Sequence, residues 1–147
     1  MSKSIKLEED VYLDSSNIVY NGKTLDSILK ELIPVTLFSN GSGVSETGTY
    51  DLNDSVYNYT YLEVYVGRGF DYGGQSVKFL RMLNGVTILL PYASSNATYI
   101  KELHLTFSGK TFTLDKIISV NISNGETPSV YSTSENYNKI YRIVGYK

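Results

Sequence analysis

The chain has 147 residues, of which 41% are hydrophobic and 19% charged, with a formal net charge of −2. That balance describes a globular chain of one domain plus a short appendage, and its interspersed acids and bases leave no basic stripe for nucleic acid or an anionic membrane. Cysteine is absent, which excludes disulfides, thiolate catalysis and cysteine–metal sites.

Along residues 1–33, Ile5-Lys6-Leu7 and Val11-Tyr12-Leu13 are brief alternating stretches, followed by the turn-like Asp14-Ser15-Ser16-Asn17. The opening residues lack the apolar core of a secretory signal, so synthesis in a cytoplasm is expected. Ile18-Val19-Tyr20 leads into Asn21-Gly22, a dipeptide suited to a tight turn with positive φ. Thr24 is placed to cap a short helix over 25–32, which Pro34 ends. Leu25, Ile28, Leu29 and Leu32 fall at i, i+3, i+4 and i+7 and form one stripe, the candidate oligomerisation surface. An isolated helix this short is marginal in water, so the stripe must be covered. It packs on the chain's own β domain, or three copies pack together as a bundle at the molecule's root.

From Pro34 onward the pattern is that of strands. They are expected over 35–39, 49–52, 59–66, 76–81, 86–90, 99–107, 111–122 and 139–146. Asn40-Gly41-Ser42-Gly43 reads as a flexible loop, and Asn84-Gly85 and Ser108-Gly109 as hairpin turns. The apolar run at 86–91 is far too short to span a bilayer, and no membrane insertion is expected. Leu103, Leu105 and Phe107 are predicted to meet Phe112, Leu114, Ile118 and Val120 in the core. The fold class is all-β: an antiparallel, jelly-roll-like β-sandwich over 34–147, preceded by a small segment, 1–33, with short strands and one short helix. No fixed-period repeat points to a propeller or β-helix.

The chain holds 14 Tyr and no Trp. Tyrosine suits a half-wet pleated surface, because its ring packs while its hydroxyl stays hydrated. Strict alternation over 59–66 puts Leu62, Val64 and Val66 on one face and Tyr59, Tyr61, Glu63 and Tyr65 on the other. Such a row of tyrosines stacks on sugar rings or is buried at a subunit interface, where tyrosine is enriched. The glycine-rich connection at 67–74 fits neither a Walker loop nor a dinucleotide fingerprint. Its Arg68, Phe70 and Tyr72 are candidate contacts, since binding residues often ride on loops of rigid scaffolds.

Little here supports catalysis. His104 is the single histidine, on a polar strand face beside Glu102 and Thr106, which leaves most of a metal's coordination sphere empty. Glu63, Asp71, Glu102 and Asp115 include no pair that spacing selects for glycoside hydrolysis. No catalytic residue, metal or cofactor is assigned.

The segment 5–29, with Tyr12-Leu13-Asp14-Ser15-Ser16, Ile18-Val19-Tyr20 and Leu25-Asp26-Ser27-Ile28-Leu29, resembles the N-terminal part of tail- and head-fibre proteins of Firmicutes phages and prophages. Leu37-Phe38-Ser39-Asn40-Gly41-Ser42-Gly43 and Tyr61-Leu62-Glu63-Val64-Tyr65 look like their β domain. Ile140-Tyr141-Arg142-Ile143-Val144-Gly145-Tyr146-Lys147 looks like its closing strand. The resemblance implies a non-enzymatic virion protein made in the bacterial host's cytoplasm. It further implies attachment to other virion proteins through 1–33, a homotrimer, and outward display of 34–147 for host-surface glycan adhesion or virion decoration. The alternative from the residues themselves is a monomeric carbohydrate-binding module with a tyrosine platform.

Overall fold

The computed structural model describes residues 18–68, 71–81, 85–93, 97–123, 128–132 and 138–147. The stretches expected at 5–7 and 11–13 lie outside them. The chain divides into two compact units, Met1–Ile33 and Pro34–Lys147.

In the first unit, β1 (Val19–Tyr20) and β2 (Lys23–Thr24) form an antiparallel hairpin. Asn21 and Gly22 both take positive φ, 50° and 77°, the combination a primed turn requires and that Asn-Gly tolerates. Helix α1 (Leu25–Leu32) follows at once. Thr24 caps it by accepting from the Ser27 amide at 3.2 Å, and the Ser27 hydroxyl donates back to the Thr24 carbonyl at 2.8 Å. Ile33 is extended, as a residue before proline prefers.

The second unit is an antiparallel β-sandwich. One sheet has the order β3 (Val35–Val44), β11 (Asn138–Tyr146), β5 (Tyr61–Arg68), β6 (Asp71–Leu80). The other runs β10 (Ser129–Ser132), β9 (Thr111–Ser123), β8 (Ala97–Ser108), β7 (Gly85–Ala93), with β4 (Gly48–Asp51) also paired to β9. The two sheets share one core. Leu37, Leu62, Val64, Val66, Ile140 and Ile143 from the first meet Ile88, Leu103, Leu105, Phe112 and Leu114 from the second. Rings tie the layers: Phe38 lies edge-on to Phe112 at 5.0 Å and Phe79 lies 5.7 Å from Phe107.

Four expectations are corrected by this topology. Residues 40–43 belong to β3 as a bulge, because Val44 pairs with Ile140 while Ser39 pairs with Arg142. Gly43 sits there at φ +67°, and Lys139 donates to the Ser42 carbonyl at 2.9 Å. Residues 67–74 are not a long loop: β5 runs to Arg68 and β6 starts at Asp71, with Arg68 opposite Asp71. Asn84-Gly85 does not join a hairpin, since β6 pairs with β5 and β7 with β8, so the chain there passes from one sheet to the other. Ser108-Gly109 does lie in a hairpin turn, between Ser108 and its partner Thr111.

The fourth correction concerns β9. His104 pairs with Lys116 but Leu105 with Leu114, so Asp115 has no opposite residue and the strand changes phase. Ile117 is therefore buried, and Ile118 and Val120 turn to the outer face rather than the core. Along that face, register aligns Pro91, Ile100, Val120 and Val130 in one row across four strands. The phase change has a direct test in adjacent substitutions. Ile117→Ala is expected to cost about 2–4 kcal/mol and Ile118→Ala about 1 kcal/mol or less in denaturant unfolding. Equal losses would contradict the bulge.

Candidate functional site

The outer face of the β3–β11–β5–β6 sheet carries a connected set of polar and aromatic side chains. Alternation along β5 turns Leu62, Val64 and Val66 inward and Tyr61, Glu63 and Tyr65 outward. Register then decides their neighbours. On β6 these are Leu80, Lys78 and Ser76, and on β11 Tyr146, Val144 and Arg142.

Glu63 is the hub. One carboxylate oxygen accepts from the Ser76 hydroxyl at 2.6 Å and the other from the Tyr146 hydroxyl. Lys78 Nζ lies 3.5 Å from the centre of the Tyr146 ring and 5.5 Å from that of Tyr61. Arg142 stacks over Tyr65 at 4.6 Å. Val144, buried yet outside the main core cluster, is covered on this side. The hydrogen bonds from Ser76 and Tyr146 favour the ionised carboxylate and hold Glu63 below the usual glutamate range. The same bond raises the Tyr146 phenol above its ordinary value.

This coupling gives an acid-dependence with a definite sign. The Glu63 carboxyl is depressed only in the folded chain, so the unfolded chain takes up its proton first as pH falls. Its contribution is complete above about 4.5, the ordinary glutamate value, and is lost below it as the folded carboxyl titrates. Glu63→Gln is expected to cost about 1 kcal/mol at pH 7, discounted for partial exposure. The wild-type advantage should shrink progressively in urea unfolding as the pH falls below that ordinary value. A gap that is constant with pH would show that Glu63 acts through packing alone.

In the turn before β5, Tyr57 is 57% exposed and lies under the Arg81 guanidinium at 5.6 Å. Arg81 is itself fixed by donating to the Tyr59 carbonyl at 2.8 Å. Tyr57, Lys78, Arg142 and Tyr146 were not selected from the sequence. Lys78, Arg142 and Tyr146 reach the face through cross-strand register, and the hint along β5 was only its alternation.

The six sequence-selected contact residues do not gather into one surface. Tyr61, 40% exposed, and Tyr65, half-buried under Arg142, share the outer face. Tyr59 does not join them. Asp54 accepts from the Ser55 amide, from Asn58 and from the Tyr59 hydroxyl, the last at 2.9 Å. This knot holds the short 3₁₀ turn Val56–Asn58, so β5 begins at Tyr61 and the Tyr59 ring enters the core at 4% exposure. Burial and the Asp54 bond push its phenol up to about 12. Arg68 and Tyr72 lie on β5 and β6, and Phe70 falls outside the described residues. On α1, Leu29 and Leu32 are exposed and Leu25 and Ile28 half-buried; no residue of the helix is buried.

A second polar feature is a shallow groove of about 420 Å³ on the other sheet, lined by Gly85, Thr87, His104, Thr106, Asp115 and Lys116 among others. His104 Nε2 lies 3.1 Å from Glu102 and Nδ1 3.3 Å from the Thr87 hydroxyl, so both ring nitrogens are engaged within the sheet. Among the described residues no group of three or more His, Asp or Glu side chains is placed to hold a metal ion. No helix among them is long and apolar enough to cross a membrane.

The exposed Tyr61 ring, with Lys78 beside it, suits ring stacking and hydrogen bonding to a flat polar ligand. The Glu63 carboxylate has a hydroxyl donor on each oxygen, which fits it for holding the ionised form and positioning its neighbours. Comparison with protein-family models and with curated proteins finds no match.

Proposed function

We propose that the chain is a non-enzymatic fibre-type module of a bacteriophage virion. It is homotrimeric, docks on other virion proteins through residues 1–33, and displays residues 34–147 for adhesion to a host-surface glycan or for decoration of the particle. The observation that carries this reading is α1. It is an eight-residue amphipathic helix in a unit of its own, its stripe left open at Leu29 and Leu32, and a helix of that length gains stability by packing against others. Three copies supply such a partner and multiply weak glycan contacts by avidity.

The Tyr61–Lys78–Tyr146 stack supports the adhesive part, and equally favours a second reading, a monomeric carbohydrate-binding module. Light scattering after size exclusion separates them: about 49 kDa for three chains, against 16.4 kDa for one. Retention on immobilised host-wall glycans tests adhesion. Tyr61→Ala, at an exposed ring, is expected to lower glycan affinity about tenfold with the melting temperature unchanged. Absence of retention on every wall glycan would remove adhesion and leave decoration of the virion.

A further inference from the structure

On the tyrosine face, register sets Tyr61 beside Leu80, Glu63 beside Lys78 and Tyr65 beside Arg142. A glutamate directly across from a lysine is placed to pair with it. Here the pairing is not made. The two Glu63 oxygens accept from the Ser76 and Tyr146 hydroxyls, while Lys78 Nζ lies over the Tyr146 ring, 3.5 Å from its centre. Arg142 lies over Tyr65 at 4.6 Å. Among the described residues neither cation is in an ion pair. Lys78 and Arg142 against Glu63 leave one positive charge at this place, in a chain whose formal net charge is −2.

From this we propose that the glycan taken by this face is acidic: a sugar whose ring stacks on Tyr61 and whose carboxylate or phosphate is held by Lys78. The inference rests on the adhesive part of the reading above and names the ligand class of that same site.

Donor chemistry selects the anion. An ammonium and a guanidinium donate hydrogen bonds and accept none, whereas an ionised carboxylate or phosphate only accepts. A neutral sugar bound through its hydroxyls needs acceptors as well, and the Glu63 carboxylate already has a hydroxyl donor on each oxygen. Position selects a sugar over a bare ion. Tyr61 and its cross-strand neighbour Leu80 are both exposed, so an aromatic ring and an aliphatic chain lie open side by side. Lys78 Nζ is 5.5 Å from the centre of the Tyr61 ring. One sugar residue spans that gap, its ring over the phenol and its anion in a charge-assisted hydrogen bond of about 2.8 Å to the ammonium. Resting on Tyr146, the Lys78 side chain is held in place before the ligand arrives, and less freedom is lost on binding. Arg142 adds a second positive charge to the field that an acidic chain meets along the face.

The test uses the full chain on an array of oligosaccharides in matched forms: neutral, uronate-bearing, phosphate-bearing, and the methyl ester of each uronate. Retention is expected on the acidic forms, and the uronate and phosphate arms tell which anion is preferred. It should fall about tenfold on esterification, and again as salt rises from about 0.05 to 0.5 M, because contacts between exposed charges are screened. Lys78→Gln should weaken retention of the acidic forms about tenfold and Arg142→Gln about threefold, with circular dichroism confirming the fold of each. The ester comparison needs no variant, so it decides the ligand class even where Lys78→Gln fails to fold. Equal retention of ester and free acid, or of neutral and acidic forms, overturns the acidic class and leaves adhesion in place. Acid-specific retention untouched by both charge substitutions overturns the site. Absence of retention on every form removes the acidic class and adhesion together.

Discussion

Phe112→Ala is expected to destabilise the sandwich by about 3–5 kcal/mol, the largest effect of any single truncation in this chain. Phe112 is fully buried and sits where the two sheets and the β4 edge converge. Its ring stacks on Tyr50 at 5.1 Å, meets Phe38 edge-on at 5.0 Å and lies 6.4 Å from Phe107. Removing it leaves a cavity walled by three rings that belong to different strands and are held by their own backbone pairing, so collapse is limited. Against a total stability of 5–15 kcal/mol for an ordinary domain, this loss is a large fraction. It should lower the melting temperature by roughly 12–20 °C. A drop of only a few degrees would mean that the aromatic cluster repacks, contrary to the rigid layering described above.

Gly145→Ala should follow closely, at about 3 kcal/mol, for the opposite reason. A Cβ added at Gly145 would stand 2.5 Å from both Cδ1 and Cγ of the Tyr59 ring, far inside van der Waals contact. Tyr59 has nowhere to go: it is buried, its hydroxyl is bonded to Asp54 and its carbonyl to Arg81. Gly145 for its part is paired with Val35 on one side and Leu62 on the other, in the sheet's interior. Overpacking of this kind costs 1–3 kcal/mol where neighbours can yield, and the upper end applies here. Thermal melts of Gly145→Ala in the wild-type and Tyr59→Ala backgrounds check the mechanism. The glycine substitution should cost far less once the ring is gone, a coupling of about 2 kcal/mol. Additive losses would place the strain elsewhere.

Local signals made part of this fold readable in advance. The alternation of Leu62, Val64 and Val66 gave the direction of β5, and Thr24 with Pro34 bracketed α1. Ser108-Gly109 marked the β8–β9 hairpin. What stayed hidden depends on partners distant in sequence or on single-residue shifts. The Asp115 bulge carries no glycine and interrupts no apolar run, yet it moves Ile118 and Val120 from the expected core to the surface. Residues 40–43 look like a loop until β11 arrives beside them. Tyr59 fits the alternation of β5, but the Asp54 knot outweighs that pattern and turns its ring inward. The tyrosine face was half visible for the same reason: Tyr61 and Tyr65 follow from alternation, whereas Lys78, Arg142 and Tyr146 come from other strands.

The position of β11 has a consequence for how the molecule comes into being. It lies between β3 and β5, and Lys139 bonds to a residue 97 positions earlier. A ribosome therefore releases β3 and β5 long before their shared partner exists. Until residues 138–147 emerge, each of those strands has a bare hydrogen-bonding edge open to other nascent chains. The β8–β9 hairpin closes locally and early, while the opposite layer waits for the slow search that such distant pairing demands. A chain lacking residues 138–147 would keep the β5–β6 pair but leave β3 and β5 as two adhesive edges with nothing to join them.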